Sequence, residues 1–247
     1  MDKEKRPAIA PAALAAMIDH TFLRPDGDGG AIGRLCDEAA EWHFGCVMVN
    51  PCEVKNAAAR LAGSGVRVGT VIGFPLGQST LTTMLFEANE AIENGAGELD
   101  FVMNVRRLRE AFAPGGAPLP EKAPVDSLPI TSDYRAMLRV LRGSKPVTTK
   151  LIIETCYLDD AQKAFACRMA KAAGFDFVKT STGFGTGGAT AGDVALMREC
   201  VGPEMGVKAA GGIRDLDTAL ALIAAGANRL GCSAGVALMR ALAKAGE

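Results

Sequence analysis

A chain of 247 residues, nearly half of them apolar, with a net charge of -1, is long enough to bury a sizeable core and lacks the basic surface that a polyanion would require. No nucleic-acid partner is therefore expected. The seven cysteines (Cys36, Cys46, Cys52, Cys156, Cys167, Cys200 and Cys232) are odd in number, have no C-x-x-C spacing and lie partly in apolar runs, which argues against a disulfide framework or a zinc ribbon and points to a reducing compartment.

The segment Met1 to Arg6 leads into only a short alanine-rich stretch, too brief for a signal peptide or a membrane span. A soluble cytoplasmic protein with no membrane partner is expected. Along the chain, β-rich apolar runs occur at Met17–Phe22, Cys46–Asn50, Val66–Ile72, Leu99–Val105, Thr148–Ile153, Phe175–Thr180, Gly206–Ala209 and Asn228–Cys232, the first and last being the weaker. Between them lie helical patterns, clearest at Asp160–Ala173, Gly192–Val201 and Leu216–Ala225. Gly174 and Gly226 read as left-handed C-caps. Asp215 reads as an N-cap, and Thr190 with Asp193 as a capping box with Asp in place of Glu.

Eight strands alternating with helices in a single domain of residues 1–247 predict an α/β fold, a (β/α)8 TIM barrel. A doubly wound sheet would normally carry G-x-G-x-x-G after its first strand, and Pro51-Cys52-Glu53-Val54 is no such turn. One segment breaks the rhythm. From about 113 to 130, Pro114, Pro118, Pro120, Pro124 and Pro129 interrupt any period, and the stretch reads as a loop insertion.

In a barrel, chemistry sits at the C-terminal strand ends. Two lysines end neighbouring strands there, in Phe177-Val178-Lys179-Thr180 and Gly206-Val207-Lys208-Ala209. Either one alone could snorkel to solvent. As a pair they would depress each other's pKa, the device that turns a lysine into a neutral amine able to attack a carbonyl. Asp100, between Leu99 and Phe101, reads as a buried carboxylate in need of a cationic partner, with Lys208 the expected one. Asp19, His20, Thr21, Asn50, Asn104, Lys150 and Glu154 are the other polar residues at or near strand ends.

Glycine-rich turns follow the last three strands, at Thr182-Gly183, Gly211-Gly212 and Gly231-Cys232-Ser233. Barrels frequently bind phosphate at such loops, because glycine lets backbone N–H groups approach the anion. With only His20 and His43 and no H-E-x-x-H cluster, no metal site is expected, and a lone strand-end histidine is read as hydrogen-bonded structure.

Together these residues resemble the deoxyribose-phosphate aldolases, Schiff-base aldolases built on a TIM barrel. The resemblance runs from about Ile18 to Val236. It is carried by Ile18-Asp19-His20-Thr21, Val49-Asn50-Pro51, Val71-Ile72-Gly73-Phe74-Pro75, Gly95 to Asp100, Ile153-Glu154-Thr155, Val207 to Arg214 and, most specifically, Val178-Lys179-Thr180-Ser181-Thr182-Gly183-Phe184-Gly185. It implies reversible cleavage of 2-deoxy-D-ribose 5-phosphate to D-glyceraldehyde 3-phosphate and acetaldehyde, with no metal or organic cofactor.

By this resemblance Lys179 forms the Schiff base, Lys208 tunes it and Asp100 relays protons. Asp19, Thr182, Gly183, Gly211, Gly212, Gly231 and Ser233 make up the substrate- and phosphate-binding set. A homo-oligomer, dimer or tetramer, is expected. Four features depart from the family's pattern: Met84 where many relatives carry lysine, Ala210 where many carry serine, no tyrosine at the end where some members have one, and the longer insertion. The alternatives are a Schiff-base aldolase for another sugar or sugar phosphate, and a non-catalytic barrel that senses sugar phosphates.

Overall fold

The computed structural model describes residues 9–112, 125–143 and 145–245. Eight parallel strands close into a barrel in chain order, with β8 returning to β1. They are β1 (Ile18–Phe22), β2 (Cys46–Val49), β3 (Arg67–Ile72), β4 (Glu98–Val102), β5 (Thr148–Ile152), β6 (Phe177–Lys179), β7 (Gly206–Ala210) and β8 (Arg229–Cys232). This is the expected (β/α)8 architecture.

The helices alternate with the strands. α1 (Pro11–Met17) precedes β1, and α2 (Ala31–Glu41), α3 (Val54–Arg60) and α4 (Leu81–Glu93) follow β1, β2 and β3. Both α5 (Val105–Phe112) and α6 (Pro129–Arg142) follow β4. Then α7 (Asp160–Ala173), α8 (Ala191–Val201), α9 (Leu216–Ala224) and α10 (Gly235–Ala245) follow the last four strands.

Local chemistry sets the helix ends. α7 begins with a full capping box, in which Asp159 accepts from the Gln162 N–H and the Gln162 side chain accepts from the Asp159 N–H. It ends on Gly174 at φ +97°. Asp215 caps α9 as expected, accepting from the Thr218 N–H at 2.8 Å. The box expected at Thr190 is only half made. Thr190 accepts from the Asp193 N–H at 3.0 Å, but the Asp193 carboxylate pairs instead with Lys163 at 2.7 Å.

Two strands miss one end of their apolar runs by two residues or more. β4 stops at Val102 because Asn104 starts α5, its Oδ1 accepting from the Arg107 N–H at 2.9 Å. Phe175 lies ahead of β6, in edge contact with the rings of Phe101 and Tyr134. Of the proline-rich stretch, residues 113–124 lie outside the described residues. The remainder is not loop: Val125–Ser127 form a 3-10 turn, and Pro129 takes the first position of α6, where its missing N–H costs nothing.

Outward-facing strand residues such as Val47, Leu99, Phe101, Leu151, Val178, Val207 and Leu230 are 0% exposed and pack beneath the helices. Each contributes about 1.5–3 kcal/mol of burial free energy. The barrel interior is divided. On the β2–β3 side Cys46, Met48 and Val71 form a small apolar cluster with Leu23. On the other side the inward positions of β4 to β8 carry Glu98, Asp100, Lys150, Lys179, Lys208 and Arg229. No described helix is long and apolar enough to cross a membrane.

Candidate active site

Strand register assembles the charged side of the barrel. Asp100 of β4 pairs with Lys150 of β5, Lys179 of β6 with Lys208 of β7, and Lys208 with Arg229 of β8. Lys179 Nζ and Lys208 Nζ donate to one and the same oxygen, Asp100 Oδ2, at 2.8 and 2.7 Å. Lys150 Nζ lies between Asp100 Oδ1 (2.8 Å) and Glu98 Oε2 (2.5 Å). Lys208 also reaches Asp19 Oδ2 at 2.5 Å, and Arg229 binds Asp19 through Nε at 2.8 Å and Glu98 at 3.3 Å.

Ion pairs this deeply buried are expensive to assemble, and removing one partner leaves an uncompensated charge. Burial would raise the Asp100 pKa, yet Lys150, Lys179 and Lys208 hold it well below the usual carboxylate range. Burial likewise opposes ionisation of Asp19, whose pKa is held at about 2 by Lys208, Lys150 and Arg229. Lys179 differs from Lys150 and Arg229, whose pKa values the neighbouring carboxylates raise against the effect of burial. Its pKa falls to about 8, first through burial and then through the Lys208 and Lys150 charges, against the opposing pull of Asp100. Sequence reasoning ascribed the depression to lysine–lysine repulsion; in the folded chain burial is the larger cause, because Lys179 is only 3% exposed.

Lys179 forms part of the wall of an open cleft of about 380 Å³ at the C-terminal end of the strands. Six of the seven residues expected to bind substrate or phosphate (Thr182, Gly183, Gly211, Gly212, Gly231 and Ser233) line this cleft with it. The seventh, Asp19, is not among the lining residues: it is fully buried, paired with Lys208 and Arg229.

The loops above the cleft are braced. The Glu154 carboxylate accepts from the backbone N–H and hydroxyl of Thr182, and Thr182 Oγ1 accepts from the Phe184 N–H at 3.0 Å. Glu154 itself sits at φ +53°, a left-handed conformation uncommon for a side-chain-bearing residue and concentrated at functional sites. The Ala189 N–H donates to the carbonyls of Ala210 and Gly211, joining the loops after β6 and β7.

Two glycines show different constraints. Gly183 has φ +87° with open space where a Cβ would sit, so backbone conformation alone demands glycine. At Gly231 a Cβ would come within 3.0 Å of Lys208 Cε, so this glycine makes room for the lysine stem as well as lining the cleft.

The other strand-end residues take supporting roles. His20 is buried, its Nε2 2.7 Å from Glu38 Oε2, which matches its reading as hydrogen-bonded structure. Asn50 Nδ2 donates to the Leu23 carbonyl at 3.3 Å. Met84 is 2% exposed on α4, directly beneath Gly73, a site suited to a thioether. Arg229, whose guanidinium closes the network from β8, escaped sequence reasoning because its run reads as a weak strand edge. Lys150 was visible as a polar residue near a strand end, but nothing in its spacing disclosed which carboxylates it would meet.

Asp19, Cys46 and Glu98 bring three possible metal-ligand atoms within 4.8 Å of one another. Both carboxylates are already engaged by cationic side chains, and burial pushes the Cys46 thiol well above its ordinary pKa. This donor set suits lysine and arginine rather than a divalent ion.

No family model matches the chain. It is 52% identical over 228 residues to deoxyribose-phosphate aldolase of Bacteroides thetaiotaomicron, covering 92% of this chain and 90% of that relative. To the enzyme of the same name from Clostridium perfringens strain 13 it is 48% identical, over 91% of this chain and 93% of the relative. The solved tetrameric structure of deoxyribose phosphate aldolase from Aeropyrum pernix superposes with a TM-score of 0.81 at 31% identity, covering 94% of this chain and 91% of that one. With relatives this similar spanning nine-tenths of the chain, the chain belongs to the deoxyribose-phosphate aldolase family.

Proposed function

We propose that the protein reversibly cleaves 2-deoxy-D-ribose 5-phosphate to D-glyceraldehyde 3-phosphate and acetaldehyde through a Schiff base on Lys179. The observation that carries this reading is the placement of a nearly buried lysine with a pKa of about 8 in the wall of a cleft bordered by glycine-rich loops. About one in ten such lysines is a neutral amine at pH 7, against about 0.04% for an ordinary lysine.

The neutral Lys179 nitrogen adds to C1 of the open-chain sugar, and loss of water gives an iminium. A water held by Asp100 and Lys208 takes the proton of the C3 hydroxyl. The C2–C3 bond then breaks, its electron pair passing to the iminium and forming an enamine on Lys179, while C3 leaves as the aldehyde of glyceraldehyde 3-phosphate. Protonation of the enamine carbon and hydrolysis release acetaldehyde and restore the amine. Because Asp100 Oδ2 meets both Lys179 and Lys208, a proton can pass between them with little motion. The phosphate lies against the turns at Gly183, Gly211–Gly212 and Ser233, whose backbone N–H groups and hydroxyl supply donors.

The catalytic unit is one domain bearing the proline-rich insertion, and it works as a homo-oligomer, as the tetrameric Aeropyrum relative does. Light scattering on the eluting protein measures that state. The function itself is tested by incubating the protein with acetaldehyde and borohydride and mapping the reduced adduct by mass spectrometry. An adduct on Lys179, with release of acetaldehyde from 2-deoxyribose 5-phosphate, is expected. An adduct on another lysine, or none, refutes the assignment.

A further inference from the structure

The ion pairs inside the barrel form one connected cluster with a definite charge count. Its carboxylates are Asp19, Glu98 and Asp100, each 0% exposed. Its cations are Lys150 and Lys208, both 0% exposed, Arg229 at 6% and, when protonated, Lys179 at 3%. Three fixed positive charges therefore balance three negative ones, and a proton on Lys179 puts the cluster in excess by one. In a medium of low dielectric an excess charge is opposed.

We propose that Arg229 and Glu98, at the end of the barrel away from the cleft, are positioning residues for imine formation: acting through Asp19, Lys208 and Lys150, they fix the cluster's charge so that a protonated Lys179 is its surplus cation. The inference rests on the reading of Lys179 as the imine-forming lysine. Geometry supplies the connection. Arg229 holds the Asp19 carboxylate whose other oxygen meets Lys208, and Glu98 holds the Lys150 ammonium that binds the second oxygen of Asp100. Neither Arg229 nor Glu98 lines the cleft.

The remaining groups around Lys179 do not upset the count: Arg24 and Arg214 also line the cleft, but both are exposed and solvent screens them, Arg24 being paired with Asp26 as well. Burial raises the Cys46 thiol pKa well above its ordinary value and that of Cys232 to about 11, so both stay neutral. Glu154, on the loop after β5, has its carboxylate bound to Thr182 rather than to the cluster. Arg67 of β3 touches Glu98 at 2.9 Å, but its side chain is 51% exposed and solvent screens it.

Register places Lys179 beside Lys208 and Lys208 beside Arg229, so Lys179 and Arg229 are two strand spacings apart, about 10 Å. A unit charge at that range and an effective dielectric of about 20 shifts a lysine by about one pH unit. Removing a cation and removing an anion must then move Lys179 in opposite directions. In Arg229→Met, Asp19 keeps Lys208, and Glu98 keeps Lys150 and Arg67. In Glu98→Gln, Lys150 keeps Asp100.

The test is the pH dependence of borohydride trapping with acetaldehyde on the full-length protein, with the adduct mapped in each variant. Arg229→Met is expected to raise the midpoint by about one pH unit and slow trapping about tenfold at pH 7. Arg229→Lys, which restores the charge, is expected to return the midpoint to that of the parent. Glu98→Gln is expected to lower the midpoint by about one unit and to speed trapping about fivefold at pH 7. A purely structural role would lower thermal stability and leave both midpoints in place. Unmoved midpoints, or shifts of the same sign in the Arg229→Met and Glu98→Gln variants, with the adduct still on Lys179, would overturn the proposal while leaving the function intact. An adduct elsewhere in the parent would overturn the reading beneath it. If one variant fails to fold, the sign of the other's shift still decides.

Discussion

Replacing Lys208 by Met isolates the part of the Lys179 depression that comes from a neighbouring charge. The two ammonium nitrogens reach the same Asp100 oxygen at 2.8 and 2.7 Å, so they lie within about 5.5 Å of each other. At an effective dielectric of about 20, unit charges at that range repel by about 3 kcal/mol, or about two pH units. Methionine keeps the apolar stem and the burial. It also leaves both carboxylates paired, Asp19 with Arg229 and Asp100 with Lys150. In the parent, raising the pH through about 8 removes the Lys179 proton, so imine formation accelerates across that range and levels off above it. In Lys208→Met the Lys179 carboxylate partner remains while the repelling cation is gone, so the midpoint moves upward by about two units. Trapping by acetaldehyde and borohydride then slows about a hundredfold at pH 7 and recovers to within a few-fold of the parent near pH 10. The assay is the initial rate of adduct formation between pH 6 and 10, read by mass spectrometry. A midpoint unchanged by the substitution would refute the electrostatic argument and leave burial as the whole cause.

Lys179→Leu is expected to abolish adduct formation at every pH; label that persists and maps to Lys208 would reverse the two roles. Asp100→Leu is expected to cut turnover far more than trapping, since it removes the proton relay while the amine stays, and an equal loss of both would count against a relay. Omitting the substrate phosphate is expected to lower kcat/KM by at least tenfold per lost charge-assisted hydrogen bond, each being worth about 1.5–3 kcal/mol; equal efficiency with free deoxyribose would sink the phosphate assignment. Cleavage is expected to survive exhaustive chelation, and loss of activity restored by a divalent metal would contradict the mechanism.

Much of this molecule was legible before it folded. Alternating β-rich runs and amphipathic helices have periods of their own, and Thr190, Asp215 and Gly174 act on the backbone within one helical turn, so element order and the barrel followed from local chemistry. Lys179 and Lys208 could be singled out because a lysine at the end of an apolar run is costly wherever the run is buried. Asp100 could be singled out for the same reason.

Pairing was a different matter. Lys150, 50 residues from Asp100 in sequence, and Lys208, 108 residues away, meet opposite oxygens of one carboxylate only because the closed sheet sets their register. Asp19 reads as a substrate contact in a linear motif, yet closure of β1 against β8 lays it beside Arg229, 210 residues on. The depressed Lys179 pKa likewise belongs to the assembled barrel. Residue types limit which charges can be present, but burial and Coulomb energy depend on distances that no stretch of chain contains until all eight strands have closed.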